Sequence, residues 1–168
     1  MSCAYPGKMF DFLPVQDQPK AALYDDVRQA ALGLTDGERD GIANMANIAA
    51  LIGLALPDLN WAGFYRMVGG ELVLGPFVGK PACIRIPLGT GVCGTAASTG
   101  VTQLVPDVHA FPGHIACDAA SRSELVVPVI RAKKVIAVLD LDSPLTSRFD
   151  ADDAAGIEAL AIAIADRI

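Results

Sequence analysis

The chain has 168 residues, 52 % of them hydrophobic, and carries 13 Lys and Arg against 19 Asp and Glu, a formal net charge of −6. That length suits one domain with a real core, and that apolar content excludes disorder over most of it. The negative field repels phosphate backbones and anionic lipid headgroups, so neither nucleic acid nor a membrane is an expected partner. The longest apolar runs, such as residues 48–56, are far too short to span a bilayer. No basic segment followed by an apolar run opens the chain, so no secretory signal is read and a cytoplasmic location is expected.

Residues 1–18 read as a loose segment and residues 19–168 as one folded unit. Ala22, Leu23, Val27, Ala30 and Ala31 recur near helical spacing and predict a first helix over 19–32. Thr35-Asp36-Gly37-Glu38 has the form of a capping box, which predicts a second helix from 35 to 57. Strands are expected over 60–67 and 71–77, joined by a turn at Val68-Gly69-Gly70, and over 82–86. Residues 89–100 are glycine-rich and suit a short helix; residues 102–105 suit a brief strand. A long loop is expected over 106–121, and loops of that length often carry function. Residues 124–130 and 135–141 pair as a hairpin across 131–134. A last helix starts at Asp150, with Asp152 and Asp153 near its positive end. Helices at both ends of a run of hairpin strands predict an α+β fold with an antiparallel sheet.

Three constellations carry possible chemistry. On the strand Trp61-Ala62-Gly63-Phe64-Tyr65, positions 61, 63 and 65 share one side. The glycine is expected to leave an opening between two aromatic rings, a box for a methyl or thioether group or simply a patch of core. Asp140 and Asp142 end an apolar strand and point the same way, about 7 Å apart by strand rise. In a poorly solvated cleft such a pair can clamp an ammonium group or keep a proton; alternatively the strand merely emerges into water. Glu124, opening the neighbouring strand, offers a third carboxylate.

The third constellation is Cys83, Cys93 and Cys117, all in segments that read as loops and turns. A thiolate there can meet solvent, substrate or another thiol, and cytoplasmic disulfides are usually transient and catalytic. Cys3, near the chain's start, adds little. A zinc site from Cys83, Cys93, His109, His114 and Cys117 has the right ligand types but lacks close Cys-x-x-Cys pairs. No metal or cofactor is expected. His109 and His114 can equally be hydrogen-bonded loop residues.

These residues lie in motifs that recur together. They are Asn60-Trp61-Ala62-Gly63-Phe64-Tyr65, Leu74-Gly75-Pro76-Phe77, Lys80-Pro81-Ala82-Cys83 and Gly91-Val92-Cys93-Gly94-Thr95-Ala96-Ala97. Further along come Gln103-Leu104-Val105-Pro106-Asp107-Val108, Phe111-Pro112-Gly113-His114-Ile115-Ala116-Cys117-Asp118, Ser123-Glu124 and Leu139-Asp140-Leu141-Asp142-Ser143. With them the chain closely resembles the free methionine-(R)-sulfoxide reductases, which are single GAF domains. The resemblance implies a central antiparallel sheet of about six strands flanked by helices, with residues 19–168 as the GAF domain. It implies that Cys117 is the nucleophile and Cys83 the cysteine that resolves it as a disulfide. Cys93 matches a third family cysteine, open between assisting binding and relaying oxidation. Glu124, Asp140 and Asp142 match carboxylates that hold the sulfoxide oxygen and the amino group, and Trp61 and Tyr65 match an aromatic wall around the S-methyl group. A homodimer, thioredoxin as reductant and a role in oxidative stress are further implications. The rival is a GAF domain that senses a small molecule and catalyses nothing.

Overall fold

The computed structural model describes residues 18–113 and 119–168. The first helix, α1 (Lys20–Leu34), follows Pro19, whose fixed φ suits a helix entry. The second, α2 (Gly41–Ala55), begins six residues later than the capping-box pattern predicts. Thr35 instead closes α1, its hydroxyl donating to the Ala31 carbonyl at 2.8 Å. Gly37, at φ 74°, then turns the chain, and the Glu38 carboxylate accepts the amides of Arg39 and Asp40. Asp40 is the true cap and accepts from the amides of Ile42 and Ala43.

Six strands follow: β1 (Trp61–Val68), β2 (Glu71–Gly79), β3 (Arg85–Ile86), β4 (Gln103–Val105), β5 (Ser123–Arg131) and β6 (Lys134–Ser143). They form one antiparallel sheet in the order β3-β2-β1-β6-β5-β4. The expected third strand shrinks to two residues. The Gly-rich segment is a helix, α3 (Gly91–Thr99), and the described residues of the long loop include a 3-10 turn, Val108–Ala110. The β5–β6 hairpin turns through Ala132 and Lys133, both at positive φ, the geometry of a tight two-residue hairpin loop.

Alternation along the strands sorts two cores. Ala62, Phe64, Leu125, Val127, Leu139 and Leu141 face α1, α2 and the C-terminal helix α4 (Ala151–Ile164). Trp61, Tyr65, Val126 and Val138 face the other way, into a second cluster with residues of α3. α4 starts at a full capping box between Asp150 and Asp153. Buried Asp153 also ties α4 to α1: it accepts from Lys20 Nζ and Tyr24 Oη, each at 2.7 Å, and from Arg148 Nη1 at 3.4 Å. Among the described residues no helix is long and apolar enough to cross a membrane.

Candidate active site

The site lies on the α3 face of the sheet, and strand register assembles it. Across β1, β6 and β5, Trp61 pairs with Asp142, and Asp142 with Glu124. One step along, Gly63 pairs with Asp140. Because Leu139 and Leu141 point into the helix-side core, Asp140 and Asp142 must point to this side. The strand does not emerge into water at Asp140. Glu124 and Asp140 are each only 6 % exposed, and Asp142 is half-buried.

Cys93 completes the cluster. It sits in the first turn of α3, 4 % exposed, with Sγ 3.9 Å from Glu124 Oε1. A helix N-terminus favours a thiolate. Here burial wins, and the charges of Asp140 and Glu124 reinforce it, so the Cys93 thiol is pushed well above its ordinary range. Cys93 therefore remains a protonated, weak hydrogen-bond donor.

Burial also raises Glu124 well above the usual carboxyl range, with the charges of Asp140 and Asp142 adding to it. Asp140 is pushed up to about 7, again by burial, and its hydrogen bonds with Cys93 and Glu124 pull the other way. Two carboxyls this close cannot both ionise in a dry site, so the pair retains a proton near neutral pH. One oxygen, Asp140 Oδ1, is buried with no hydrogen-bond partner among the described residues.

Asp140 and Asp142 line a small pocket with Trp61, Tyr65 and residues 80–82. The Trp61 indole is nearly parallel to the Tyr65 ring, with centroids 5.9 Å apart and planes at 23°. Trp61 Nε1 donates to the Lys80 carbonyl at 3.2 Å, and Tyr65 Oη donates to the Cys83 carbonyl at 3.0 Å. The aromatic wall thus ties down the connection that carries half-buried Cys83. Size alone does not locate this chemistry. A wider, more open hollow of about 620 Å³ lies between α2 and the ends of β1 and β6, and no cysteine lines it.

The described side chains close enough to share a metal ion are Cys93, Glu124 and Asp140, with ligand atoms within 4.8 Å of one another. His109 is exposed and bonded to Asp107 through Nδ1 at 3.1 Å, as a loop residue holding its turn.

Residues 22–168 match the GAF domain family. The free methionine-R-sulfoxide reductase of Escherichia coli strain K12 is 48 % identical over 141 residues, 84 % of this chain and 86 % of that protein. The Saccharomyces cerevisiae protein of the same name is 48 % identical over 137 residues, 77 % of this chain and 76 % of its own. The X-ray structure of free methionine-R-sulfoxide reductase from Neisseria meningitidis, in complex with its substrate, superposes with a TM-score of 0.90. It is 43 % identical and covers 95 % of each chain. The chain belongs to the free methionine-R-sulfoxide reductases, a family of GAF domains.

Of the residues that the family resemblance points to, the fold gathers Trp61, Tyr65, Asp140 and Asp142 around one pocket, with Glu124 and Cys93 beside Asp140. Cys83 lies on the adjoining connection. Cys117 and His114 lie outside the described residues. One expectation changes. Gly63 leaves no opening between the rings, because Phe77 of β2 occupies that space, with its Cβ 2.4 Å from where a Gly63 side chain would begin. Lys80 and Phe77 were visible only as members of motifs. A long-range partner for Trp61 leaves no periodic signal in its own strand.

Proposed function

We propose that the protein reduces free L-methionine-(R)-S-oxide to L-methionine, by a cysteine sulfenic acid and an intramolecular disulfide. The observation that carries this is Asp140: a buried carboxyl with an open oxygen, paired to Glu124, in a pocket walled by two aromatic rings. Family membership supplies the substrate class, and the carboxyl pair supplies what the chemistry lacks in water.

Sulfoxide oxygen leaves only when protonated. The Cys117 thiolate bonds to the substrate sulfur as the proton kept by the Glu124–Asp140 pair passes to the oxygen and the S–O bond breaks; the hydroxide so released attacks the Cys117 sulfur, and the S–S bond breaks with its electron pair going to methionine. Methionine and Cys117 sulfenic acid result, with the sulfur of the substrate reduced and that of the enzyme oxidised. The Cys83 thiol then condenses with the sulfenic acid, releasing water and forming a disulfide. A dithiol protein of the thioredoxin class reduces that disulfide by exchange. Asp140 lines the pocket while Glu124 stands behind it, so Asp140 hands over the proton and Glu124 replenishes it. Cys93, held protonated, supports the pair by hydrogen bonding. Asp142 at the rim suits the amino group of a free amino acid. Methyl against Trp61 and oxygen against the carboxyls gives one epimer; the other would place a polar oxygen on an aromatic ring.

The family resemblance also supports a homodimer. The experiment is a single turnover without reductant. Cys117→Ser yields no methionine, whereas Cys83→Ser yields about one equivalent but fails to recycle with thioredoxin. Stoichiometric methionine from Cys117→Ser would remove that cysteine from the reaction. A domain that only senses would bind the sulfoxide and release it with its oxygen still attached.

A further inference from the structure

Gly63 pairs with Phe77 across the β1–β2 ladder. A Cβ on Gly63 would lie 2.4 Å from Phe77 Cβ, 2.7 Å from its Cα and 2.8 Å from the Pro76 carbonyl oxygen. The missing side chain lets β2 approach, and the Phe77 ring stacks on Trp61 with centroids 5.2 Å apart and planes at 13°. Two further contacts hold the same indole. Its Nε1 donates to the Lys80 carbonyl. Gly79, at φ 131°, lacks the Cβ that would come within 2.7 Å of Trp61 Cδ1. Phe77 does not line the pocket, so any effect it has on substrate passes through Trp61.

We propose that Phe77 is a positioning residue that sets the tilt of the Trp61 indole, and through it the preference for one sulfoxide epimer. This rests on the reading of Trp61 as the wall against the S-methyl group. Tyr65 also lies along the indole, at 5.9 Å and 23°, but the Phe77 ring is nearer and flatter, at 5.2 Å and 13°, and so limits rocking about the outer torsion of Trp61 most closely. Without Phe77 the indole tilts into the space left behind. The methyl side of the pocket then widens, and the oxygen of the other epimer is no longer forced onto the ring. The chemistry of the carboxyl pair and the cysteines is untouched.

Trp61 is the one tryptophan of the chain, so intrinsic fluorescence reports on it alone. The test compares Phe77→Leu and Phe77→Tyr with the parent protein on free methionine-(R)-sulfoxide and its (S) epimer. Phe77→Leu raises KM for the (R) epimer about two- to ten-fold, the range that one stacked ring pair carries, and lowers the (R)/(S) preference by a similar factor. Its kcat stays within about two-fold, and its emission moves to the red with a weaker response to substrate. Phe77→Tyr keeps the ring and restores all three. Parental emission, KM and epimer preference in Phe77→Leu would overturn the proposal, as would an equal fall of kcat in both variants with KM unchanged. If the parent protein turns over neither epimer, the reading of the pocket fails instead, and the emission measurements still decide whether Phe77 holds the indole.

Discussion

Replacing Asp140 by Asn removes a charge that the fold holds at a cost. Below its ordinary value of 3.8 the carboxyl is neutral in both folded and unfolded chains. Between 3.8 and about 7 the unfolded chain has released the proton and the folded one has not, so stability falls as pH rises. Above that range the loss is complete and level. A rise from 3.8 to about 7 corresponds to roughly 4 kcal/mol, at about 1.4 kcal/mol for each tenfold change in proton affinity. The Asn amide needs partners for its own N–H groups, which lowers the variant by about 1–3 kcal/mol at every pH and leaves the slope unchanged. The assay is urea unfolding of both proteins from pH 4 to 8. The stability of Asp140→Asn relative to the parent should climb by roughly 4 kcal/mol across that range and flatten above pH 7. The same variant should lose methionine formation. A stability difference that is independent of pH, or one that favours the parent increasingly as pH rises, would refute the argument that burial sets the charge of this site.

Two further outcomes test the frame around the site. Gly63→Ala places a Cβ against backbone atoms of β2, which cannot yield as a side-chain tip can. It should cost about 2 kcal/mol or more of unfolding free energy in the same assay, with substrate affinity falling as the Trp61–Phe77 stack is displaced. Asp153→Ala strips the shared acceptor from Lys20, Tyr24 and Arg148, leaving the buried Tyr24 hydroxyl unpaired. About 3 kcal/mol of stability should be lost, read as a lower urea midpoint. Tyr24→Phe, which removes the donor instead, should cost about 1 kcal/mol.

Five of the strands were legible because each is an apolar or β-branched run bounded by turn residues; the one expected over 82–86 holds only Arg85–Ile86. The hairpin from Glu124 to Leu141 was legible for the same reason, with the turn at 131–134 in plain view. The start of α2 was not. Thr35-x-x-Glu38 satisfies the capping-box pattern, yet Gly37 adopts a left-handed conformation that stops a helix there. The pattern is short, and the preceding helix took Thr35 as its own end. The Trp61–Phe77 contact was hidden because cross-strand partners are fixed by register, including the irregularity between Gly63 and Tyr65.

Residue type and alternation were enough to put Trp61 and Tyr65 on one side of their strand and Asp140 and Asp142 on one side of theirs, since the direction of a side chain on a strand is a local property; strand register put the two pairs on one face. The ionisation of those aspartates is not local. It depends on how much water the helix α3 and the neighbouring strands exclude, and on how near a third carboxyl and a thiol are brought from elsewhere in the chain. Three-dimensional packing alone decided that Glu124, Asp140 and Cys93 would meet out of solvent, and with that which of them stay protonated.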